Sequence, residues 1–241
     1  MSGTPPEVSV VLPIHNERGN LVPLLEEITA VLRSTPHEII AVDDASSDGS
    51  LEELRRLRAA SPRLRVVALD RWSGQSAATM AGCDHARGEV VVTLDADGQN
   101  DPADIPRLLD ALHARAACAA AVGYRARRES RWRSFQSQVA NRVRDWLTGD
   151  AVRDSACGIR ALRRPALAAL PRFDGMHRFL PTLIRRQGGV VVEVPVSVRP
   201  RNYGRSKYGT WRRAVRGLSD ALGVRWLMRR ALGGPAREVE P

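Results

Sequence analysis

Five short apolar segments alternate with four helical ones across the first 123 residues, and this alternation constrains the fold more than any other feature of the chain. Glu7–Pro13, Glu38–Asp43, Leu64–Leu69, Glu89–Leu94 and Ala119–Gly123 read as buried strands. Between them, Leu21–Arg33, Leu51–Ala60, Gln75–Ala86 and Ile105–Ala116 carry apolar residues at helical spacing. Ser50 and Glu53 have capping-box spacing, and Asp101-Pro102 suits a helix start. Alternation at this pitch predicts an α/β fold, with a mostly parallel sheet flanked by helices on both faces. In such sheets ligands bind beyond the carboxyl ends of the strands.

After Tyr124 the character changes. Ser130–Leu147 reads as an arginine-bearing helix, Gly149–Arg160 as a polar connection and Val190–Val198 as a strand. Arg199–Gly209 then forms a basic loop, and Thr210–Leu232 a C-terminal amphipathic helix before a frayed tail. Charge divides at the same place. Residues 1–120 carry 11 basic and 18 acidic side chains, whereas residues 121–241 carry 26 and 9. A basic half suits nucleic acid, an anionic membrane or a phosphorylated substrate, and charge alone does not choose among them. All basic residues but Lys207 are arginine, so this lone ammonium either answers a local need for a compact cation or survives by chance. No apolar run approaches the ~18 residues of a membrane span. The N-terminus lacks a signal-peptide pattern, and three scattered cysteines match no metal-ligand spacing. The expected location is therefore cytoplasmic.

Asp95-Ala96-Asp97 directly follows the apolar run Val90–Leu94. In extended backbone, residues two apart face the same way, so both carboxylates can address one ion. Such hard oxygen donors suit Mg2+ or Mn2+, completed by water and phosphate oxygens. The alternative is a solvated turn. Gln99 continues this loop as a neutral hydrogen-bonding group. A second acidic set, Asp43-Asp44, ends another strand, where Asp44 can accept from ribose hydroxyls or base N–H groups. Asp48 before Gly49 reads as a turn or cap residue. At the end of the first strand, Pro13 marks departure from the sheet, and Asn16 and Glu17 face the same edge. No glycine-rich phosphate loop is present, so a cation must carry much of any phosphate binding.

Val11-Leu12-Pro13-Ile14-His15-Asn16-Glu17, Val42-Asp43-Asp44-Ala45-Ser46-Ser47-Asp48-Gly49 and Leu94-Asp95-Ala96-Asp97-Gly98-Gln99 resemble the N-terminal signatures of family 2 glycosyltransferases. Asp154–Arg160 and Arg201–Gly209 are similar to signatures of dolichyl- and polyprenyl-phosphate sugar synthases, such as dolichol-phosphate mannosyltransferase. The resemblance implies a GT-A, Rossmann-like fold and an inverting transfer of sugar from a nucleotide-diphosphate donor, GDP-mannose or a UDP-hexose, to a polyprenyl or dolichyl phosphate. It implies that Pro13, His15, Glu17, Val42 and Asp44 line the nucleotide together with Asp95, Ala96 and Gln99. Asp95 and Asp97 would hold Mg2+ or Mn2+, and Arg125 and Arg131 would face the acceptor phosphate. Arg201 and Lys207 would close over the donor phosphates, and Asp154 would orient the acceptor, act as base or cap a turn. His15 stands where these synthases often carry Tyr.

On this reading residues 1–125 bind the nucleotide sugar, and residues 126–210 form the acceptor half of the same domain. Residues 211–241 then form a basic helix and tail. From Arg201 to Leu232 nine basic residues and one acid alternate with apolar side chains. This suits either a peripheral helix on an anionic membrane or a helix packed on its own domain. A processive synthase is disfavoured, since Leu222 replaces the Gln of a Gln-x-x-Arg-Trp signature. A non-processive transferase with another acceptor, a polysaccharide or lipid hydroxyl, is the alternative. A nucleic-acid-binding protein is a distant second, because no nucleic-acid-binding signature is visible.

Overall fold

Seven strands form one sheet in the order β3-β2-β1-β4-β6-β5-β7 in the computed structural model. It describes residues 5–125, 144–150, 152–155, 157–200 and 210–230, with side chains in the last segment from 217 onward. The strands are β1 (Val8–Ile14), β2 (His37–Asp44), β3 (Leu64–Leu69), β4 (Val90–Thr93), β5 (Cys118–Arg125), β6 (Arg160–Arg163) and β7 (Val190–Val196). Helices α1 (Arg18–Val31), α2 (Ser50–Ala60), α3 (Gln75–His85) and α4 (Ile105–His113) fill the predicted positions to within a few residues. All strand pairs are parallel except those made by β6, which runs antiparallel to β4 and β5.

Alternation along β1 explains the layers. Val8, Val10, Leu12 and Ile14 enter a core shared with α1 and α4, while Val11 enters the opposite core with α3. The second core admits α3 closely because of Gly82. A Cβ there would lie 2.3 Å from Val11 Cγ1, so only glycine allows this approach.

Two local expectations differ from the structure. Gly49, in a left-handed conformation, holds the N-cap of α2, and no side chain caps it. Ser50 instead gives its hydroxyl to Asp48 Oδ1 (2.5 Å) and accepts the Glu17 amide (3.1 Å), so it joins two turns rather than making a capping box. The polar connection expected over Gly149–Arg160 leads at its end into β6, a strand that the pattern does not predict. Four residues bounded by arginines are too short for periodicity to register. The Asp101 cap agrees: its carboxylate accepts the Ala103 amide at 2.9 Å. Asp48 also acts as a turn and cap residue, accepting the Arg18 amide at the start of α1 (3.1 Å). Most of the expected helix over 130–147 lies outside the described residues, of which 144–148 are helical.

Candidate active site

The strand order turns back between β1 and β4, since β1 leads outward to β2 and β3 while β4 leads to the other half of the sheet. A crevice opens at such a switch point beyond the carboxyl ends. His15–Glu17 and Asp95–Gln99 leave the sheet on its two sides. β6, being antiparallel, starts at this same edge and brings residues 157–159 into it.

Asp95 is gripped from two directions. Gln75, the first residue of α3, donates Nε2–H to Asp95 Oδ1 at 2.7 Å. On the other side a Cβ at Gly158 would stand 2.1 Å from Asp95 Oδ2. Thr93 Oγ1 donates to the Gly158 carbonyl at 3.1 Å and holds it there. Burial, then the charge of Asp97, pushes the Asp95 carboxyl up to about 6, against the opposing pull of Arg160 and Arg125. Asp97 Oδ1 accepts the Gln99 amide at 3.1 Å. Ala96 between them is 3% exposed and packs in the core.

The neighbouring strand ends are tied together by polar contacts. His15 Nδ1 donates to the Asp44 carbonyl at 2.7 Å. Asn16 takes a positive φ of 58°, with its amide on Ser46 Oγ and its side-chain oxygen accepting the Ser47 amide at 2.7 Å. Ala45, at φ 51°, has no such compensation, and backbone strain of this kind clusters at ligand sites. Glu17 Oε2 accepts Asn20 Nδ2 at 2.7 Å. Pro13 pairs with Val42 in the β1–β2 register.

Val42 and Asp44 are both buried at this edge. The Val42 side chain is fully buried beneath α3, so it supports the edge from within the core. The Asp44 carboxylate, at a residue 3% exposed, accepts the amides of Ser73 (2.6 Å) and Gly74 (2.8 Å). It anchors the segment entering α3 instead of facing the crevice freely.

On the other flank, Arg125 forms a bidentate pair with Asp154, Nε to Oδ2 at 2.6 Å and Nη2 to Oδ1 at 2.9 Å. Asp154 also accepts the Arg125 amide, which makes it an orienting group for that guanidinium. Arg160, 5% exposed, lies in the field of Asp95 and Asp154 and donates to the Ser155 carbonyl at 3.2 Å. Arg131, Arg201 and Lys207 lie outside the described residues. The chain approaches the basic segment from a fixed point, however. Arg199 donates its amide to the Gln99 carbonyl (2.9 Å) and clamps Asp101 with Nε (3.0 Å) and Nη2 (2.7 Å).

Gln75, Gly158 and Arg160 were not singled out by the sequence reading. Arg160 ended a quoted signature, but its placement next to Asp95 depends on the antiparallel strand that pattern reasoning missed.

A sheet of this order with an acidic strand-end pair beside its switch point defines the GT-A class of nucleotide-sugar folds. Glucosyl-3-phosphoglycerate synthase of Mycobacterium tuberculosis, in complex with phosphoglyceric acid, superposes with a TM-score of 0.69 over 91% of this chain and 81% of its own, at 22% identity. A mannosyltransferase of Pyrobaculum calidifontis in complex with GDP-Man and Mn2+ does so at 0.60, over 95% and 71%, also at 22% identity. Residues 9–170 match the model of glycosyl transferase family 2, and the chain belongs to that family. A dodecaprenyl-phosphate galacturonate synthase of Rhizobium johnstonii is 37% identical over 233 residues, covering 92% of this chain and 68% of that protein. An undecaprenyl-phosphate 4-deoxy-4-formamido-L-arabinose transferase of Edwardsiella ictaluri is 38% identical over 84% of this chain. The chain spans 63% of that relative's length.

Proposed function

We propose that this chain transfers a sugar from a nucleoside-diphosphate donor to a polyprenyl phosphate, with inversion at the sugar carbon. The observation that carries the reading is the Asp95–Asp97 pair at the switch point, with Asp95 fixed by Gln75 and Gly158. Relatives named as polyprenyl-phosphate sugar transferases supply the acceptor class. Their names carry galacturonate and a formamido-arabinose, so a mannosyl group is one option among related sugars.

The residues fit a divalent cation, Mg2+ or Mn2+. Two hard carboxylates two residues apart, one raised by burial and then by the other's charge, form a donor set that a cation relieves. Among the described residues no set of three or more His, Cys, Asp or Glu converges as a metal site. Asp95 and Asp97 would hold the ion, and donor diphosphate oxygens and water would complete its shell, as is usual for Mg2+. Bound there, the ion supplies Lewis-acid neutralisation of the diphosphate charge.

The chain's own groups do the rest. A phosphate oxygen of the lipid bonds to the sugar carbon as the bond to the donor diphosphate breaks, and the electron pair leaves with the diphosphate. The acceptor's second pKa is about 6, so it is ionised at neutral pH without a strong base. Asp154, already committed to Arg125, serves to orient that guanidinium toward the acceptor phosphate, to which Arg131 is also assigned. Arg201 and Lys207 are the cations assigned to the leaving diphosphate. Glu17, His15 and Gln99 border the nucleotide.

No described helix is long and apolar enough to cross a membrane. The helix Thr210–Arg230 packs Ala221 and Val224 inward while Leu218, Leu222 and Trp226 stay exposed among Arg225, Arg229 and Arg230. This supports a peripheral site on the anionic cytoplasmic face of a membrane, where the lipid acceptor resides. Incubation with Mn2+, a polyprenyl phosphate and a panel of UDP- and GDP-sugars, with mass spectrometry of the lipid fraction, tests the proposal. A glycosyl-phosphopolyprenol is expected with at least one donor; nucleotide release without any lipid product would move the acceptor to a different class.

A further inference from the structure

Trp72 lies on the segment between β3 and α3 and is 55% exposed. An indole buries a large apolar surface wherever it finds a partner, so one left this open at a ligand-binding edge invites one. Beside it stands His15 at the end of β1, with ring centroids 6.4 Å apart and planes inclined by 45°. The two rings are tilted, not stacked on each other, and over half of the indole remains free.

Both rings are positioned by one residue. The Asp44 carbonyl accepts His15 Nδ1–H at 2.7 Å. The Asp44 carboxylate accepts the amides of Ser73 and Gly74, the two residues after Trp72. Gly74 has φ 88°, a conformation open to glycine, which lets the segment bend onto that carboxylate. Asp44 therefore sets the gap between the rings, with its carbonyl on one side and its carboxylate on the other. Buried and bonded through both oxygens, that carboxylate is poorly disposed to read a base edge.

We infer that Trp72 and His15 form the surface that takes the donor nucleobase, with Trp72 stacking on the base and Asp44 positioning both rings. The inference rests on the nucleotide-sugar reading above and narrows it to a recognition mode. Stacking uses a π face that every base has, so it tolerates pyrimidine and purine alike. Trp72 thus contributes to binding of UDP and GDP, and contributes nothing to the diphosphate.

Calorimetric titration of the full chain with UDP, GDP and inorganic pyrophosphate, each with Mn2+, tests this. Trp72→Ala should weaken UDP and GDP by about ten- to hundredfold and leave pyrophosphate unchanged. Trp72→Phe should stay within about threefold of wild type, since a smaller aromatic face remains. Circular dichroism and the thermal midpoint should not move, because the side chain is half out of the protein. Wild-type affinity for both nucleotides in Trp72→Ala overturns the inference, as does an equal loss for pyrophosphate. A wild-type protein that binds pyrophosphate and neither nucleotide also overturns it while leaving the diphosphate site standing. A wild-type protein that binds none of the three contradicts the transferase reading itself.

Discussion

Asp95 keeps its place because a carboxamide holds one of its oxygens and a missing side chain makes room for the other. Gly158→Ala would set a Cβ 2.1 Å from Oδ2, well inside contact distance, so the carboxylate must turn away. We expect Mn2+-dependent nucleotide affinity to fall at least about tenfold, equivalent to about 1.4 kcal/mol, with the circular dichroism spectrum retained. Gln75→Ala removes one hydrogen bond to a charged group and should cost about 1.5–3 kcal/mol of the same affinity. Gln75→Glu should cost more, by adding a third negative charge. Isothermal calorimetry at fixed Mn2+ checks all three. At this scale the sequence was half legible. Asp95 and Asp97 were recognisable because a strand end and a period of two define where they face. Gln75 and Gly158 were not, because their contacts join residues 20 and 63 positions away. For Asp44 and Val42 the pattern shows the edge they reach but not the neighbours of the side chain, the Ser73 and Gly74 amides for one and the core beneath α3 for the other.

Among the elements, the amino-terminal edge of the sheet is braced by a buried polar knot. Ser9 donates to Glu38 Oε1 (2.7 Å), Arg65 to Glu38 Oε2 (2.7 Å) and the Arg87 amide to Glu38 Oε1 (2.8 Å), joining β1, β2, β3 and the start of β4. Burial pushes the Glu38 carboxyl up, but bonds from Ser9, Arg65 and Arg87 outweigh it and hold it below the ordinary 4.5. A depressed carboxylate stabilises the fold above its unfolded pKa and loses that contribution as pH falls through its folded value. Urea midpoints should therefore drop as pH is lowered below 4.5, and Glu38→Gln should flatten that drop. At neutral pH Glu38→Ala should cost about 1–3 kcal/mol, since it leaves the Ser9 hydroxyl without its acceptor and the Arg87 amide with only the longer bond to Ser9 Oγ (3.2 Å). Helices α1 to α4 and six of the seven strands were legible from the pattern within two or three residues, whereas the short helices Pro165–Ala168 and Leu180–Arg186 were not. Nor was β6. A strand enclosed on both sides and only four residues long carries no period, and its two arginines resemble a loop until the buried pairing with Thr93 and Val122 is known.

Across the molecule, acidic strand ends and a basic second half are joined by one sheet, since β6 and β7 insert beside β4 and β5. The C-terminal helix packs one face on the domain and carries Leu218, Leu222 and Trp226 outward, which leaves that second face open to the proposed membrane surface. Replacing those three with serine should lower binding to anionic vesicles at least about tenfold, since each buried CH2 contributes about 0.8 kcal/mol. Nucleotide affinity should not change, and vesicle co-sedimentation beside calorimetry separates the two. The account as a whole depends on Asp95 and Asp97 jointly gripping a cation together with a nucleotide diphosphate. Electron paramagnetic resonance reads free Mn2+ directly. In the presence of UDP or GDP, the wild-type chain should deplete that signal stoichiometrically and Asp97→Ala should not. Equal depletion by both proteins, or none by the wild type, would contradict it.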